Sequence, residues 1–505
     1  MAKRLAFFFF VLINFLSASW YLLKGDILFH VDIARDFLVL EEIVFLKKLT
    51  LIGARSGGIP GLFHGPLWFY LNLPAFLIGK GNPLFVGLFW IILFALSLII
   101  IYNIAKKVFD KSTAQLSTIL FASTISGSVF GLFNPFGAEM LFPVMFYFYY
   151  LYVTKNKLIF AILTFFLAGI VAHFQMAFGM PIIFLTTAHL SYLFIKNRKP
   201  RHFISLASLP ISMSSFIIFD LRHDFLQIKS LLQYVSGASG MGNLKPFSLI
   251  ISRLKGFFIG GLQLTVEEFI PLSILISAFL FYYFYNIFKN KKYPKRAFFL
   301  IFFYLYTGFW VSVLLFKGPV WNYYLIPFMP ILMIIFASLY QKTNKKIYIT
   351  IFALIIIFNT IKNVQHVLNA DKFIGIDGSS WKFNLTMASN LYKQADNEFG
   401  YFIFSPEMFG YTPRYAMNYA QKIYSDKKAY PFEKKKNTYL ILLPIPSNRP
   451  DLSHDWWIKN RVYLKGTPVA ELKYKNGYII QKYSLSDKDI AVPADPNLPK
   501  DLHFR

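Results

Sequence analysis

The chain has 505 residues, 56% of them hydrophobic and 19% aromatic, and a formal charge of +27 from 52 Lys and Arg against 25 Asp and Glu. So apolar a composition excludes a water-soluble fold with an ordinary polar exterior, and the basic residues stand in short runs between apolar segments, the pattern of membrane orientation rather than of nucleic-acid binding. With no cysteine, disulfides, thiolate metal sites and cysteine nucleophiles are excluded as well.

Taken in order, apolar segments able to cross about 30 Å of hydrocarbon fall near 5–23, 83–105, 113–132, 137–153, 158–172, 176–195, 203–219, 268–288, 297–316, 322–340 and 347–364. They predict a polytopic α-helical membrane protein of about eleven spans. Lys3 and Arg4 precede an apolar run that continues through Leu23, which fits a retained first helix better than a cleavable signal peptide. Alternate connections hold the basic clusters: Lys106, Lys107 and Lys111; Lys155 and Lys157; Lys196 to Arg201; Lys289 to Arg296; Lys342 to Lys346. The positive-inside rule places these in the cytoplasm with the N-terminus. Connections 24–82 and 220–267, and everything from 366 onward, then face outward in a multi-pass protein of the cell membrane.

The first outer loop opens with His30-Val31-Asp32-Ile33-Ala34-Arg35-Asp36, two carboxylates four residues apart. On a helix such a pair shares a face. Ile33, Phe37, Leu40 and Val44 form an apolar stripe, which predicts a helix lying along the membrane surface with Asp32 and Asp36 turned away from the stripe. Residues 53–66, which include Arg55 and His64, are too rich in Gly and Pro for a helix and predict a tight loop whose backbone approaches a ligand. Leu67-Trp68-Phe69-Tyr70-Leu71 then resumes an aromatic interfacial helix.

The second long outer loop begins Phe219-Asp220-Leu221-Arg222-His223-Asp224-Phe225. Either Asp220 and Arg222 satisfy each other, or Arg222 and His223 cradle an anionic headgroup. The glycine-rich stretch 237–242 is expected to be a mobile lid. Lys317 is the one cation of its short outer loop, beside Trp321, Tyr323 and Tyr324, for which aromatic anchoring is the plainer reading. Glu139 follows Asn134-Pro135 near the outer end of the fourth span, where helix capping or solvation competes with a contact to sugar hydroxyls.

From 366 to 505 the composition turns polar. Strands are expected at 400–404 and 438–443 with a helix beginning near Pro406 between them, and a hairpin joins 469–474 to 478–483 through Asn476-Gly477. This predicts a small extracytoplasmic α/β domain after a transmembrane module of residues 1–365. Asn384-Leu385-Thr386 is a glycosylation sequon. There is no P-loop, GxGxxG, internal repeat or metal-spaced His cluster, so a nucleotide-driven reaction has no support.

Together Asp32-Ile33-Ala34-Arg35-Asp36, Leu62-Phe63-His64-Gly65-Pro66-Leu67-Trp68-Phe69-Tyr70, Phe219 to Phe225 and Tyr323 to Pro330 resemble the class C (GT-C fold) glycosyltransferases, in the branch of the protein O-mannosyltransferases and lipid A aminoarabinose transferases. The resemblance implies transfer of a monosaccharide, hexosyl or pentosyl, from a polyprenyl phosphate donor to a glycan, lipid or protein acceptor at the outer membrane face, with membrane lipid and no nucleic acid as further partners. It implies that Asp32 activates the acceptor hydroxyl, with Asp36 as its support or as the alternative base. Arg222 and Lys317, with His64, His223 and Arg55, would bind the donor phosphate, and Glu139, Tyr323 and Tyr324 the acceptor or sugar. An in-line displacement of this kind inverts the anomeric centre. No metal ligand or cofactor is assigned, and a divalent cation at Asp32, Asp36 and Glu139 stays open. Two departures stand out: Asp32 lacks the adjacent acidic neighbour of the eukaryotic O-mannosyltransferases, and His64 stands where several relatives have a lysine. The alternative is a transporter or flippase of polyprenyl-linked saccharides, although such proteins place polar residues nearer the bilayer midplane and show repeated halves.

Overall fold

The computed structural model describes residues 2–56, 59–124, 129–236 and 246–498. Gly57, Gly58 and the expected lid at 237–242 lie outside the described residues. Among the described residues six helices are long and apolar enough to cross a membrane: Pro83–Val108, Asn134–Lys155, Met176–Lys196, Ile270–Lys289, Arg296–Val313 and Lys345–Leu368. A seventh crossing is obtained if Pro200–Ser212 and Ser214–Arg222, bent by 60°, count as one broken span. The other four expected spans coincide with shorter helices, Arg4–Ala18, Lys111–Thr124, Leu158–Phe174 and Ile326–Gln341.

The chain divides into two compact units, and neither is continuous in sequence. The first comprises Met1–Ser19, Leu49–Asn72 and Trp90–His366; the second comprises Trp20–Lys48, Leu73–Phe89 and Val367–Arg505. The helix carrying Asp32 therefore groups with the C-terminal residues, whereas the sequence places it in one module spanning 1–365.

In the first unit, helices approach closely where the sequence supplies small residues: a side chain at Gly179 would collide with Ala172, and one at Gly137 with Phe174. Without a hydrophobic drive between helices in lipid, such packing and a few amide bonds hold them together. Asn363 donates to Asn14 at 3.0 Å, and Asn359 both accepts from the Val266 amide at 3.0 Å and donates to the Leu264 carbonyl at 3.2 Å.

The second unit is built on a five-stranded sheet of β1 (Glu398–Phe404), β2 (Lys428–Pro431), β3 (Asn437–Leu442), β4 (Ala470–Lys473) and β5 (Ile479–Ser484) in the order β2-β1-β3-β5-β4. β1 runs parallel to β2 and β3, while β5 is antiparallel to β3 and β4. A parallel pair needs a crossover, and the helix Tyr411–Ile423 supplies it between β1 and β2. The expected hairpin forms at Asn476-Gly477, with Gly477 at φ +86°. The short edge strand β2 has no sequence signal, because its residues are exposed or half-buried and do not alternate. Phe402, Phe404, Leu440 and Leu442 pack on one face against Trp457 and Val462.

Candidate active site

The Asp32 motif starts the helix Val31–Phe45 in the second unit. His30, in extended conformation, is its N-cap, and its Nδ1 accepts the Asp32 amide at 3.1 Å. Burial pulls the His30 pKa down, against Asp32 and with Arg35, so the ring is neutral and Nδ1 can accept. Arg35 bridges both acids: Nη1 donates to Asp32 Oδ1 at 2.7 Å, while Nε and Nη2 donate to Asp36 Oδ1 at 3.0 and 2.7 Å. The acids differ in exposure. The Asp32 side chain is 47% exposed and that of Asp36 only 7%.

Asp36 was expected to face away from the apolar stripe beside Asp32, and it does not. The helix is not a membrane-surface helix in this unit but a covered one, with Ile33, Phe37, Leu40 and Asp36 all buried. Phe37 packs on Phe29, Phe76 and Tyr415, the last from the helix Tyr411–Ile423. Burial pushes the Asp36 carboxyl up to about 6, with Arg35 working against that rise and Asp32 adding to it. Burial also pulls on the Arg35 guanidinium, but Asp36 and Asp32 outweigh it and hold its pKa above the ordinary value.

Two further acids fix this helix to the C-terminal residues. Asp26, fully buried, accepts the amides of Ile27 at 2.9 Å, Lys382 at 3.0 Å and Gly375 at 3.2 Å, and the Ser380 hydroxyl at 2.5 Å. Glu41 accepts from Lys422 at 2.6 Å and Asn418 at 2.9 Å. Neither is a candidate for chemistry, since every close partner holds it in place. Asn384 is likewise committed: it is fully buried and donates to the Gly378 and Ser380 carbonyls at 2.7 and 2.8 Å, so the sequon is closed to modification in this fold.

In the first unit, residues 53–56 run antiparallel to residues 62–65. Gly53 donates to the His64 carbonyl at 2.7 Å, His64 to Ala54 at 2.8 Å and Ser56 to Leu62 at 2.8 Å, with Arg55 opposite Phe63. The second of these stretches meets the helix Leu226–Val235: Phe63 donates to Gln227 Oε1 at 3.2 Å, and a side chain at Gly61 would strike Ser230. Asp220 does not pair with Arg222. It accepts the Gln227 and Ile228 amides at 3.0 and 3.3 Å and so caps that same helix. At the other end of the helix the Tyr234 hydroxyl accepts the Lys317 amide at 2.7 Å. One helix thus gathers the three segments that carry Arg55 and His64, Arg222 and His223, and Lys317.

Arg55, Arg222, His223 and Lys317 are exposed. His223 is tied to the Phe219 carbonyl through Nδ1 at 2.8 Å and stacks on Phe219, and His64 Nδ1 accepts the Met176 amide at 3.3 Å. Each His therefore has its Nδ1 engaged, and the exposed His223 keeps its Nε2 for a ligand. The residue that the sequence reading missed is Arg253, on the helix Pro246–Phe258 and 3% exposed. Its Nη2 donates to the Phe316 and Gly318 carbonyls at 2.9 and 2.6 Å, on either side of Lys317, while Nε and Nη1 have no acceptor among the described residues. The signal for it was an arginine inside the apolar run Leu249 to Phe258, two residues before Lys255.

Two cavities adjoin these segments. One of about 410 Å³ is almost wholly apolar, lined by Leu62, Leu231, Tyr234, Phe309, Phe316 and Tyr324 among others. The other, about 320 Å³, is lined by Glu139, Gln263, Thr265, Glu267, Asn322 and Tyr323 among others. The structure brings Glu139 and Tyr323 together and sends Tyr324 to the apolar cavity. Among the described residues no group of three or more His, Cys, Asp or Glu is placed to hold a metal ion.

Two solved structures of ArnT from Cupriavidus metallidurans share this architecture along nearly the whole chain. The form bound to undecaprenyl phosphate matches with a TM-score of 0.58 at 8% identity, covering 96% of this chain and 98% of that one. The apo form gives 0.60 at 9% identity, covering 95% and 98%. This is a membrane protein with the class C glycosyltransferase fold. In sequence, residues 64–220 match the family described as dolichyl-phosphate-mannose-protein mannosyltransferase. No curated protein matches it.

Proposed function

We propose that this chain transfers a monosaccharide from a polyprenyl phosphate to an acceptor hydroxyl at the outer membrane face, with inversion, and that Asp32 is the base. The observation that carries the reading is the unequal pair on Arg35: Asp36 is buried and spent on the guanidinium, whereas Asp32 is half exposed and held in one orientation by a single bond. An oriented, accessible carboxylate is what proton removal from an attacking hydroxyl requires. As the acceptor oxygen bonds to the anomeric carbon its proton passes to Asp32, and the bond from that carbon to the phosphate oxygen breaks on the opposite face.

The leaving polyprenyl phosphate gains negative charge in that step, so cations that bind the departing dianion better than the starting diester speed it. Lys317, Arg222 and Arg55, with His64 and the Nε2 of His223, are assigned to it. Arg253 joins them, because a guanidinium stays charged when buried and its Nε and Nη1, with no acceptor among the described residues, call for an anion. The adjoining apolar cavity suits the first part of the lipid tail, and the undecaprenyl phosphate in the ArnT structure supports that choice of donor. The cavity with Glu139 and Tyr323 is assigned to sugar hydroxyls.

The test is transfer of labelled sugar from a panel of polyprenyl phosphate monosaccharides by wild type and Asp32→Asn. Asparagine keeps the size and removes the base. Turnover is expected to fall about 10²–10⁴-fold, the usual worth of a general base, with donor binding retained. Full turnover in the variant removes Asp32 from the chemistry. Labelled lipid crossing the bilayer with no donor consumed replaces the transferase reading with the transporter.

A further inference from the structure

The two faces of the sheet in the second unit are covered unequally. Phe402, Phe404, Leu440 and Leu442 pack into a closed core on one face. On the other, residues opposite one another in register share a side. Tyr439, Lys482 and Ala470 form one row across β3, β5 and β4, and Ile480 and Leu472 form the next. The helix Trp381–Gln394 walls this face with Asn390, Leu391 and Gln394, and between helix and strands lies a cavity of about 450 Å³. Small-molecule sites usually measure about 300–1,000 Å³. Tyr439 on β3 is buried, whereas β4 is exposed along its whole length, so the cavity opens at the sheet edge.

The lining holds polar groups that the fold does not use. Gln394 accepts the Tyr439 hydroxyl at 3.5 Å through its backbone carbonyl, and its side-chain amide has no partner among the described residues. Lys482 stands 5.8 Å over the Tyr439 ring with no carboxylate paired to it among the described residues. The Tyr474 hydroxyl is withdrawn from water beside the Asn390 amide, with no hydrogen bond of good geometry among the described residues. Glu471 also lines the cavity, but Lys473 at 3.0 Å and Gln481 at 2.7 Å take its carboxylate.

Amides and phenols offer donor and acceptor together, and so does a sugar hydroxyl. Leu391, Leu472 and Ile480, with the tyrosine rings, supply apolar surface for the C–H face of a sugar ring. Charge narrows the occupant further. A phosphate or sulfate meets one ammonium and one carboxylate in the same lining, and a cationic ligand meets the unpaired ammonium.

We propose that this cavity binds a short uncharged oligosaccharide, and that in the reaction it holds the glycan part of the acceptor. The second half rests on the transferase reading above, and the first does not. Contacts made away from the reacting hydroxyl hold an acceptor in place without taking part in bond making.

The test is binding of N,N′-diacetylchitobiose, lactose and maltose, with no donor present, to the full chain in nanodiscs, read by ligand-observed NMR. Deacetylated chitobiose and sulfated lactose are the charged counterparts. Wild type is expected to bind at least one neutral disaccharide with a Kd of about 1 mM or tighter and its charged counterparts more weakly. Ala470→Trp, which sets an indole on the cavity floor, is expected to weaken that binding about tenfold or more, and Val469→Trp, exposed beside it and outside the lining, to leave it alone. If Ala470→Trp does not fold, Gln394→Ala, at an exposed position, is expected to cost about threefold, the worth of one hydrogen bond.

Wild type that binds none of the three neutral disaccharides overturns the proposal, as does tighter binding of sulfated lactose than of lactose. Unchanged affinity in Ala470→Trp and Gln394→Ala places the sugar elsewhere and overturns it too. The disaccharide that binds is expected to inhibit transfer of labelled sugar to acceptors in membranes, and binding without inhibition overturns the acceptor role. A wild type that binds the disaccharide but consumes no donor overturns the transferase reading and leaves the saccharide site standing.

Discussion

Arg35 and Arg253 are both guanidinium groups withdrawn from water, and the protein treats them in opposite ways. Arg35 spends three nitrogens on two carboxylates of its own helix. Arg253 spends one nitrogen on two backbone carbonyls and leaves the other two with no acceptor among the described residues. The first charge is neutralised as the chain folds, and the second is left for something else to neutralise. Since an uncompensated buried charge costs several kcal/mol, the difference is what the proposed function requires of one site that orients a carboxylate and another that receives an anion.

The largest expected effect comes from breaking the finished site. Arg35→Met leaves Asp36 buried with no partner and is expected to destabilise the fold by about 3 kcal/mol, read as thermal unfolding in detergent. Arg35→Met combined with Asp36→Leu removes both charges and is expected to regain more than half of that loss. Sugar transfer is expected to stay low in both variants, because Asp32 has lost the bond that orients it. Equal stability of single and double variants would show that the pair is not coupled.

The contrast also shows what the sequence could reveal. Helix periodicity was enough to place a helix from Val31 onward and to mark Ile33, Phe37 and Leu40 as its apolar face. It could not show that residues some 380 positions later, on Tyr411–Ile423, cover the helix so completely that Asp36 is buried too. Periodicity reads one helix, and burial depends on its neighbours. Asn476-Gly477 carried its hairpin because the turn is local chemistry. One of the two sequence readings paired Asp220 with Arg222, the nearest opposite charge in sequence, but the amides at the start of the next helix needed an acceptor and took it. Arg253 escaped notice because a single cation near Lys255 looks like a solvated face, and only its packing shows otherwise.

A smaller effect sharpens the comparison through pH. The Asp36 carboxyl titrates at about 6 in the folded chain, raised by burial, against about 4 in an unfolded one. A carboxyl whose folded pKa lies above its unfolded value favours the fold most when protonated. Its contribution is therefore full below about pH 4 and is lost as the pH rises through about 6. Asp36→Asn cannot titrate, so wild type is expected to lose stability relative to this variant between about pH 4 and 7. Thermal unfolding of the two across that range is the measurement, and parallel curves would mean that Asp36 does not sense its burial.

The smallest expected effect on stability is at Arg253, and that is its interest. Replacing an unpaired buried charge with an apolar side chain of similar length removes a desolvation cost while losing two hydrogen bonds to carbonyls. These terms oppose each other, so Arg253→Met is expected to leave the unfolding temperature within a few degrees of wild type, far from the collapse expected of Arg35→Met. Affinity for undecaprenyl phosphate should nonetheless fall by about tenfold or more, since a charge-assisted hydrogen bond is worth about 1.5–3 kcal/mol. Arg253→Lys keeps the charge but not the planar guanidinium with donors fixed in direction, so it is expected to recover only part of the binding. Stability lost and binding retained in Arg253→Met would reverse the assignment, making Arg253 a brace for the Phe316 to Gly318 turn rather than a seat for an anion.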